Sequence, residues 1–185
     1  MSHRITGALL TLPLAFLASS AVARDWQVDA AKSTLTFKET YQGEAFDGRF
    51  GKFTAAIAYD AADLASAKFD VTVDVASVDT QNSDRDDTLG TSDFFDSAKF
   101  PQAHFVTQSF AQAADGGVEA QGTLTIRNQS RPVTLKVHFV ASGGTATLDV
   151  DTTLRRLDFG LGASSDWDEI GKAVPVHGHL ALIAK

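Results

Sequence analysis

The chain has 185 residues, 16 of them basic and 23 acidic, and no cysteine. The acidic balance argues against a nucleic-acid backbone or an anionic membrane surface as partner. Without cysteine there is no disulfide framework, thiol nucleophile or thiolate metal site, so the fold must be held by its core.

The N-terminus reads as an export signal. His3 and Arg4 form a short positive segment, and Ile5 to Ala18 is apolar apart from small residues and Pro13. Ala21-Val22-Ala23 then offers the small side chains that a signal peptidase reads, which places cleavage between Ala23 and Arg24. Spanning a bilayer takes roughly 20 apolar residues, and neither this stretch nor any later one reaches that length. No stable membrane insertion is therefore expected. Loss of residues 1–23 leaves residues 24–185 as one ordinary domain.

The remainder alternates with period two, the signature of strands buried on one face. Leu35 and Phe37 share a face within Ser33 to Lys38. Phe53, Ala55, Ile57 and Tyr59 follow, and then Phe69, Val71, Val73 and Val75, the cleanest alternation in the chain. From Thr80 to Pro101 the period is lost. Ser83 with Asp86 resembles a capping box and Gly90 ends that turn, while Ser92 offers a cap for a second short helix carrying Phe94 and Phe95. A connection of this length inside a compact domain suits a lid, a binding loop or a plug for one barrel end.

Alternation resumes at Val118 to Ile126, Val133 to Phe139, Ala146 to Leu154 and Val174 to Leu182. Turn signals separate the runs at Asp60 to Asp63, Asp115-Gly116-Gly117, Asn128 to Pro132 and Ser142-Gly143-Gly144. About eight strands with tight turns fit a sandwich or an up-and-down barrel. Pairing the first strand with the last would remove both sheet edges.

Several blocks resemble the YceI-like family. Trp26-Gln27-Val28-Asp29 with Ser33 to Phe37, and Gly48-Arg49-Phe50-Gly51-Lys52-Phe53, are similar to its opening strands. Ser77-Val78-Asp79-Thr80, Asp84-Arg85-Asp86, Leu89, Ser92-Asp93-Phe94-Phe95-Asp96, Phe100-Pro101 and Phe105 follow in the family's order. Gly122 to Ile126 and Arg156-Leu157-Asp158-Phe159-Gly160 complete the match, while Asn128-Gln129-Ser130 departs from the glycine turn that relatives usually carry. The resemblance implies an all-β fold, an eight-stranded antiparallel lipocalin-like β-barrel with a short helical lid segment, whose interior holds a long apolar chain. It implies a periplasmic or secreted protein binding polyisoprenoids, isoprenoid quinones or fatty-acid amides, and suggests a link to cytochrome b561-type membrane proteins.

By that resemblance and by proximity to glycine-rich turns, the lining residues are expected to be Phe37, Phe46, Phe50, Phe53, Leu89, Phe94, Phe95, Phe105, Phe159 and Trp167. Each buried CH₂ contributes roughly 0.8 kcal/mol, whereas a head-group hydrogen bond nets only about 1 kcal/mol. The tail therefore sets affinity and polar residues at the mouth set head-group preference. Arg85 and Arg156 are candidate mouth cations, or else ion-pair partners of Asp84, Asp86 or Asp158.

A rival reading uses histidines. His177 and His179 project from one face of a strand and, with His138 or His104, offer a zinc or copper site or a redox-partner surface. That face opposes Val176, Leu180 and Leu182, so an apolar interior turns the rings to solvent. No Gly-x-Ser-x-Gly elbow or phosphate-cradling loop is present, and strand carboxylates alternate outward, so neither catalysis nor a cofactor is expected. Homodimerisation and a membrane cytochrome partner are both compatible with the sequence.

Overall fold

The computed structural model describes residues 23–185, so the expected leader lies outside the described residues except for Ala23. Two aspartates explain how the first strands are shaped. Asp29 and Asp74 each accept a hydrogen bond from the amide two residues on, Ala31 and Ala76. Each aspartate's own carbonyl accepts from a serine hydroxyl further on, Ser33 to Asp29 and Ser77 to Asp74. This Asx geometry winds a single 3₁₀ turn into an otherwise extended segment. It breaks one long strand into β1 (Asp25–Val28) and β2 (Thr34–Tyr41), and another into β5 (Lys68–Asp74) and β6 (Val78–Asp79). Between them, β3 (Glu44–Phe50) and β4 (Phe53–Ala58) are one strand bent at Gly51-Lys52. That bend is stitched to its neighbour by Gly51 N–H to Ser77 O and by Lys52 N–H to Ser77 Oγ.

Five unbroken strands follow: β7 (Gln102–Gln112), β8 (Val118–Ile126), β9 (Gln129–Ser142), β10 (Thr145–Arg155) and β11 (Ala173–Ala184). Each pairs antiparallel with the next. β11 then returns to the start of the chain, pairing with β1 from Trp26↔Ala184 to Val28↔Leu182 and with β2 from Thr34↔His179 to Phe37↔Val176. Counting each bent pair as one strand, the described residues form a closed eight-stranded antiparallel barrel with one short α-helix. The expected pairing of first and last strand is what closes it.

Three local expectations change. α1 (Ser83–Gly90) forms, but Asn82 rather than Ser83 caps it, accepting from Arg85 N–H at 3.0 Å. Asp86 turns back to hold Thr80 through both its amide and its hydroxyl. No second helix starts at Ser92: residues 91–99 are successive turns, with Phe95 N–H bonded to Leu89 O and Asp96 N–H to Thr91 O. The turn expected over Asn128 to Pro132 is a two-residue hairpin at Arg127-Asn128, with Gln129 already in β9.

One end of the barrel is filled. Trp26, Tyr59, Phe69, Phe110 and Phe139 stack there, with Tyr59–Phe139 centroids 4.8 Å apart and Phe69–Phe110 4.9 Å apart. The indole N–H of Trp26 donates to Tyr59 O at 3.0 Å, so the buried ring leaves no polar atom unmet.

Candidate ligand-binding cavity

The other half of the barrel is hollow. A cavity of about 500 Å³ runs from the aromatic floor to the end covered by α1 and by the segment between β10 and β11. All eight strands contribute to it, and its wall is overwhelmingly apolar.

Two glycines help keep it open. Phe37 lies directly opposite Gly48 on the neighbouring strand, and the tip of its ring fills the space that a Cβ on Gly48 would need. Gly122 is diagonal to Phe105, and there the space of a Cβ is taken by the Val106 carbonyl oxygen together with the tip of the Phe105 ring. Each phenyl ring is thus tucked down onto the adjacent strand instead of projecting across the lumen. Larger residues at either position would drive the ring inward.

Of the expected lining residues, Phe37, Phe46 and Phe50 border the cavity from β2 and β3, and Phe105 from β7. Leu89, Phe94 and Phe95 border it from the lid, and Phe159 and Trp167 from the segment between β10 and β11. Phe53 does not: it packs against the aromatic floor, in register with Val73. Its place in the Gly48 to Phe53 block suggested otherwise, but the bend at Gly51-Lys52 carries it past the cavity.

The two arginines serve different ends. The Arg85 guanidinium sits 3.8 Å from the centre of the Phe46 ring, so it bridges α1 to the β2–β3 hairpin across the mouth. Arg156 borders the cavity but is buried, 5% exposed. Its five N–H groups meet five carbonyls: Nε donates to Gly171 O, Nη1 to Leu161 O and Gly162 O, and Nη2 to Trp167 O and Ile170 O. Asp158 instead faces Arg155, at 3.6 Å. Arg156 is therefore the organiser of the segment between β10 and β11 and neither a mouth cation nor a partner of Asp158. Burial lowers its pKa, opposed by the nearby charges of Glu39 and Asp168.

The two covering segments are fused. Trp167 packs edge-on against Phe94 at 5.0 Å and its indole N–H donates to Asp93 Oδ2 at 3.1 Å. Gly162 N–H reaches Asp93 O, and Arg127 Nη1 donates to Phe94 O and Gly160 O.

Glu39 is the site residue that the strand reading passed over. It is 9% exposed and borders the cavity, one step beyond the alternation of Leu35 and Phe37. Extending that alternation by two residues would have turned it inward. Its Oε1 accepts from Thr40 N–H at 2.8 Å and packs against the Gly171 backbone. Burial raises its pKa, countered by the Thr40 hydrogen bond and by Arg156.

The histidines lie on the outer wall. His177 Nδ1 is 2.8 Å from Asp151 Oδ1, His179 Nδ1 is 2.6 Å from Asp149 Oδ1, and His138 is in register with Asp149. His104 is tied to Asp70, at 2.8 Å, on a part of the ring that β11 does not touch, and it joins no cluster with the other three. Among the described residues no group of three or more His, Cys, Asp or Glu is arranged to hold a metal ion. No described helix is long and apolar enough to cross a membrane.

The wall has a seam between β9 and β10. The β9–β10 ladder stops at Asp151↔Lys136, although β9 runs on to Gln129 and β10 to Arg155. Beyond it the Thr152 hydroxyl donates to Thr134 O at 2.9 Å. An outer cleft of about 720 Å³ overlies this seam, rimmed by Lys38, Arg131, Lys136 and Arg155 among others.

Comparison with known proteins places this architecture. The family model of the YceI-like domain matches residues 26–182. A UPF0312 protein of Shewanella denitrificans is 34% identical over 142 residues, covering 75% of this chain and 72% of the relative. Among solved structures, Burkholderia cenocepacia BcnA superposes with a TM-score of 0.79 at 30% identity, over 84% of this chain and 99% of that one. A polyisoprenoid binding domain from Saccharophagus degradans, implicated in plant cell wall breakdown, shares the fold with a TM-score of 0.67 at 17% identity, over 88% and 99% of the two chains.

Proposed function

The chain belongs to the YceI-like family, and we propose that it is an exported, non-catalytic binding protein that encloses a long apolar molecule in its barrel. Its cargo is a polyisoprenoid, an isoprenoid quinone or a fatty-acid amide, held for carriage, storage or protection. Residues 1–23 are the leader that takes it to the periplasm, and residues 24–185 are the binding domain.

One observation carries this reading: a cavity of about 500 Å³ walled by aromatic and aliphatic side chains from all eight strands. Side chains normally fill the interior of an eight-stranded barrel, or leave room for one small ligand. Here Gly48 and Gly122 let two phenyl rings fold away from the space they would otherwise occupy. The S. degradans domain of the same fold is described as polyisoprenoid-binding, which supports the same class of cargo.

Affinity follows from the wall. Each five-carbon prenyl unit buried contributes about 3–4 kcal/mol before ordering costs, at roughly 0.8 kcal/mol per CH₂. Filling the lumen from within should therefore remove binding without unfolding the barrel. Val176 faces the cavity from β11, and Val176→Trp places an indole there. This variant is expected to bind the apolar fluorophore N-phenyl-1-naphthylamine at least tenfold more weakly, with an unchanged far-ultraviolet circular dichroism spectrum. A folded variant that binds as tightly as the parent would sink the assignment of the lumen.

A further inference from the structure

We infer that Glu39 is the head-group anchor of the cavity, and that it selects apolar chains ending in a neutral hydrogen-bond donor, an alcohol or a primary amide, over those ending in an anion or in an acceptor alone. The inference deepens the reading proposed above and rests on it.

Glu39 and Arg156 are the two charged side chains among the described residues that are more than nine-tenths buried, and both border the lumen. Their hydrogen bonding differs. Arg156 has every N–H committed to a main-chain carbonyl, so it has no donor left for a ligand. Glu39 has one oxygen held by Thr40 N–H, and its other oxygen, Oε2, has no hydrogen-bond partner among the described residues. No fully buried polar side-chain atom of the described residues is unsatisfied, so Oε2 is reached from the cavity and not sealed in the wall.

A carboxylate oxygen facing an apolar lumen is costly to leave unmet when a chain displaces water from it. A ligand N–H or O–H meets that need. A second carboxylate would be repelled there, and an ester or quinone oxygen has no proton to offer. The positive charge that balances Glu39 is already present in Arg156, so the head group need not be cationic. Glu39 sits toward the covered end, on β2 opposite Phe46, which places the head group near the mouth and the tail toward the aromatic floor.

The test compares four ligands of one chain length, dodecan-1-ol, dodecanamide, methyl dodecanoate and dodecanoic acid. Each is titrated as a competitor of N-phenyl-1-naphthylamine on the wild type, Glu39→Gln and Glu39→Leu at pH 7.5. The alcohol-to-ester and amide-to-acid affinity ratios are expected to fall at least fivefold in Glu39→Leu and also in Glu39→Gln, whose single oxygen is held by Thr40 N–H so that an amide donor takes the place of the free acceptor. Methyl dodecanoate should bind the variants as tightly as the wild type or more so. If both ratios are the same in all three proteins while every ligand still competes, Glu39 is not the anchor and the lumen is a chain-binding site without head-group choice. If none of the four competes with the fluorophore on the wild type, the chain-binding reading fails and this inference fails with it.

Discussion

At the residue scale, the fork geometry of Arg156 decides more than its charge. Five main-chain carbonyls between Leu161 and Gly171 converge on one guanidinium. The segment that covers the cavity contains little regular structure, so it has few other places to send these carbonyls. A lysine offers three donors from a single point and cannot satisfy five acceptors spread around a plane. Arg156→Lys is therefore expected to leave at least two of these carbonyls unmet, at a cost of about 2–6 kcal/mol given roughly 1–3 kcal/mol for each. Urea unfolding checks this: a midpoint within error of the wild type would show that water replaces the lost donors at no cost. This role was not legible in the sequence. Arg156-Leu157-Asp158 suggests a local ion pair, and only the fold shows that Arg155 takes Asp158 while Arg156 turns inward. Glu39, by contrast, was legible, because period two continues through Leu35, Phe37 and Glu39 without interruption.

At the element scale, the strands that the sequence shows clearly are those with one unbroken phase. β8, β9, β10 and β11 fall where alternation places them. β7 was missed because its phase changes midway. A register shift between Thr107 and Ser109 lets odd-numbered Ala103 and Phe105 and then even-numbered Phe110 all face inward. A bulge of this kind erases the period that a sequence reading depends on. Of the split strands, β2, β4 and β5 fall where alternation places them; what the sequence does not show is the continuity, since a 3₁₀ turn at Ala30–Lys32 or Val75–Ser77 looks like the end of a strand but is a bend within one. The seam between β9 and β10 makes its own prediction. Above Asp151↔Lys136 each strand keeps only its outer neighbour, β8 for β9 and β11 for β10. In native-state hydrogen exchange, alternate amides in residues 129–135 and 152–155 should exchange much faster than those of β8, which is paired on both sides. Uniform protection across β8, β9 and β10 would mean that the ladder is continuous in solution.

At the scale of the whole molecule, the barrel divides its apolar residues between two tasks. One end is packed with aromatic rings and holds the fold together without disulfides. The other leaves about 500 Å³ unfilled beneath a cover tied down by Arg156, Arg127 and the Trp167–Asp93 bond. An empty apolar cavity lowers stability, because the atoms lining it lose contacts that a packed core would supply. A ligand that fills it returns those contacts, and saturation at a hundred times Kd adds about 2.7 kcal/mol to stability. The outer histidines take no part in this: each of His177 and His179 is engaged by an aspartate on the far side of the wall from the lumen. The closed ring and the cavity were legible from the family blocks and the strand count. Which phenylalanines pack and which line was not, as Phe53 shows, because that depends on where the bend at Gly51-Lys52 falls.

The most direct test of a chain-binding barrel is native mass spectrometry of the protein purified from the cells that make it, followed by solvent extraction of whatever it carries. The expected result is a chain whose mass corresponds to Arg24–Lys185, carrying one stoichiometric adduct that extracts as a prenyl or acyl molecule. A protein that retains residues 1–23, or one that arrives empty and takes up no prenyl or acyl chain when these are supplied, would contradict it.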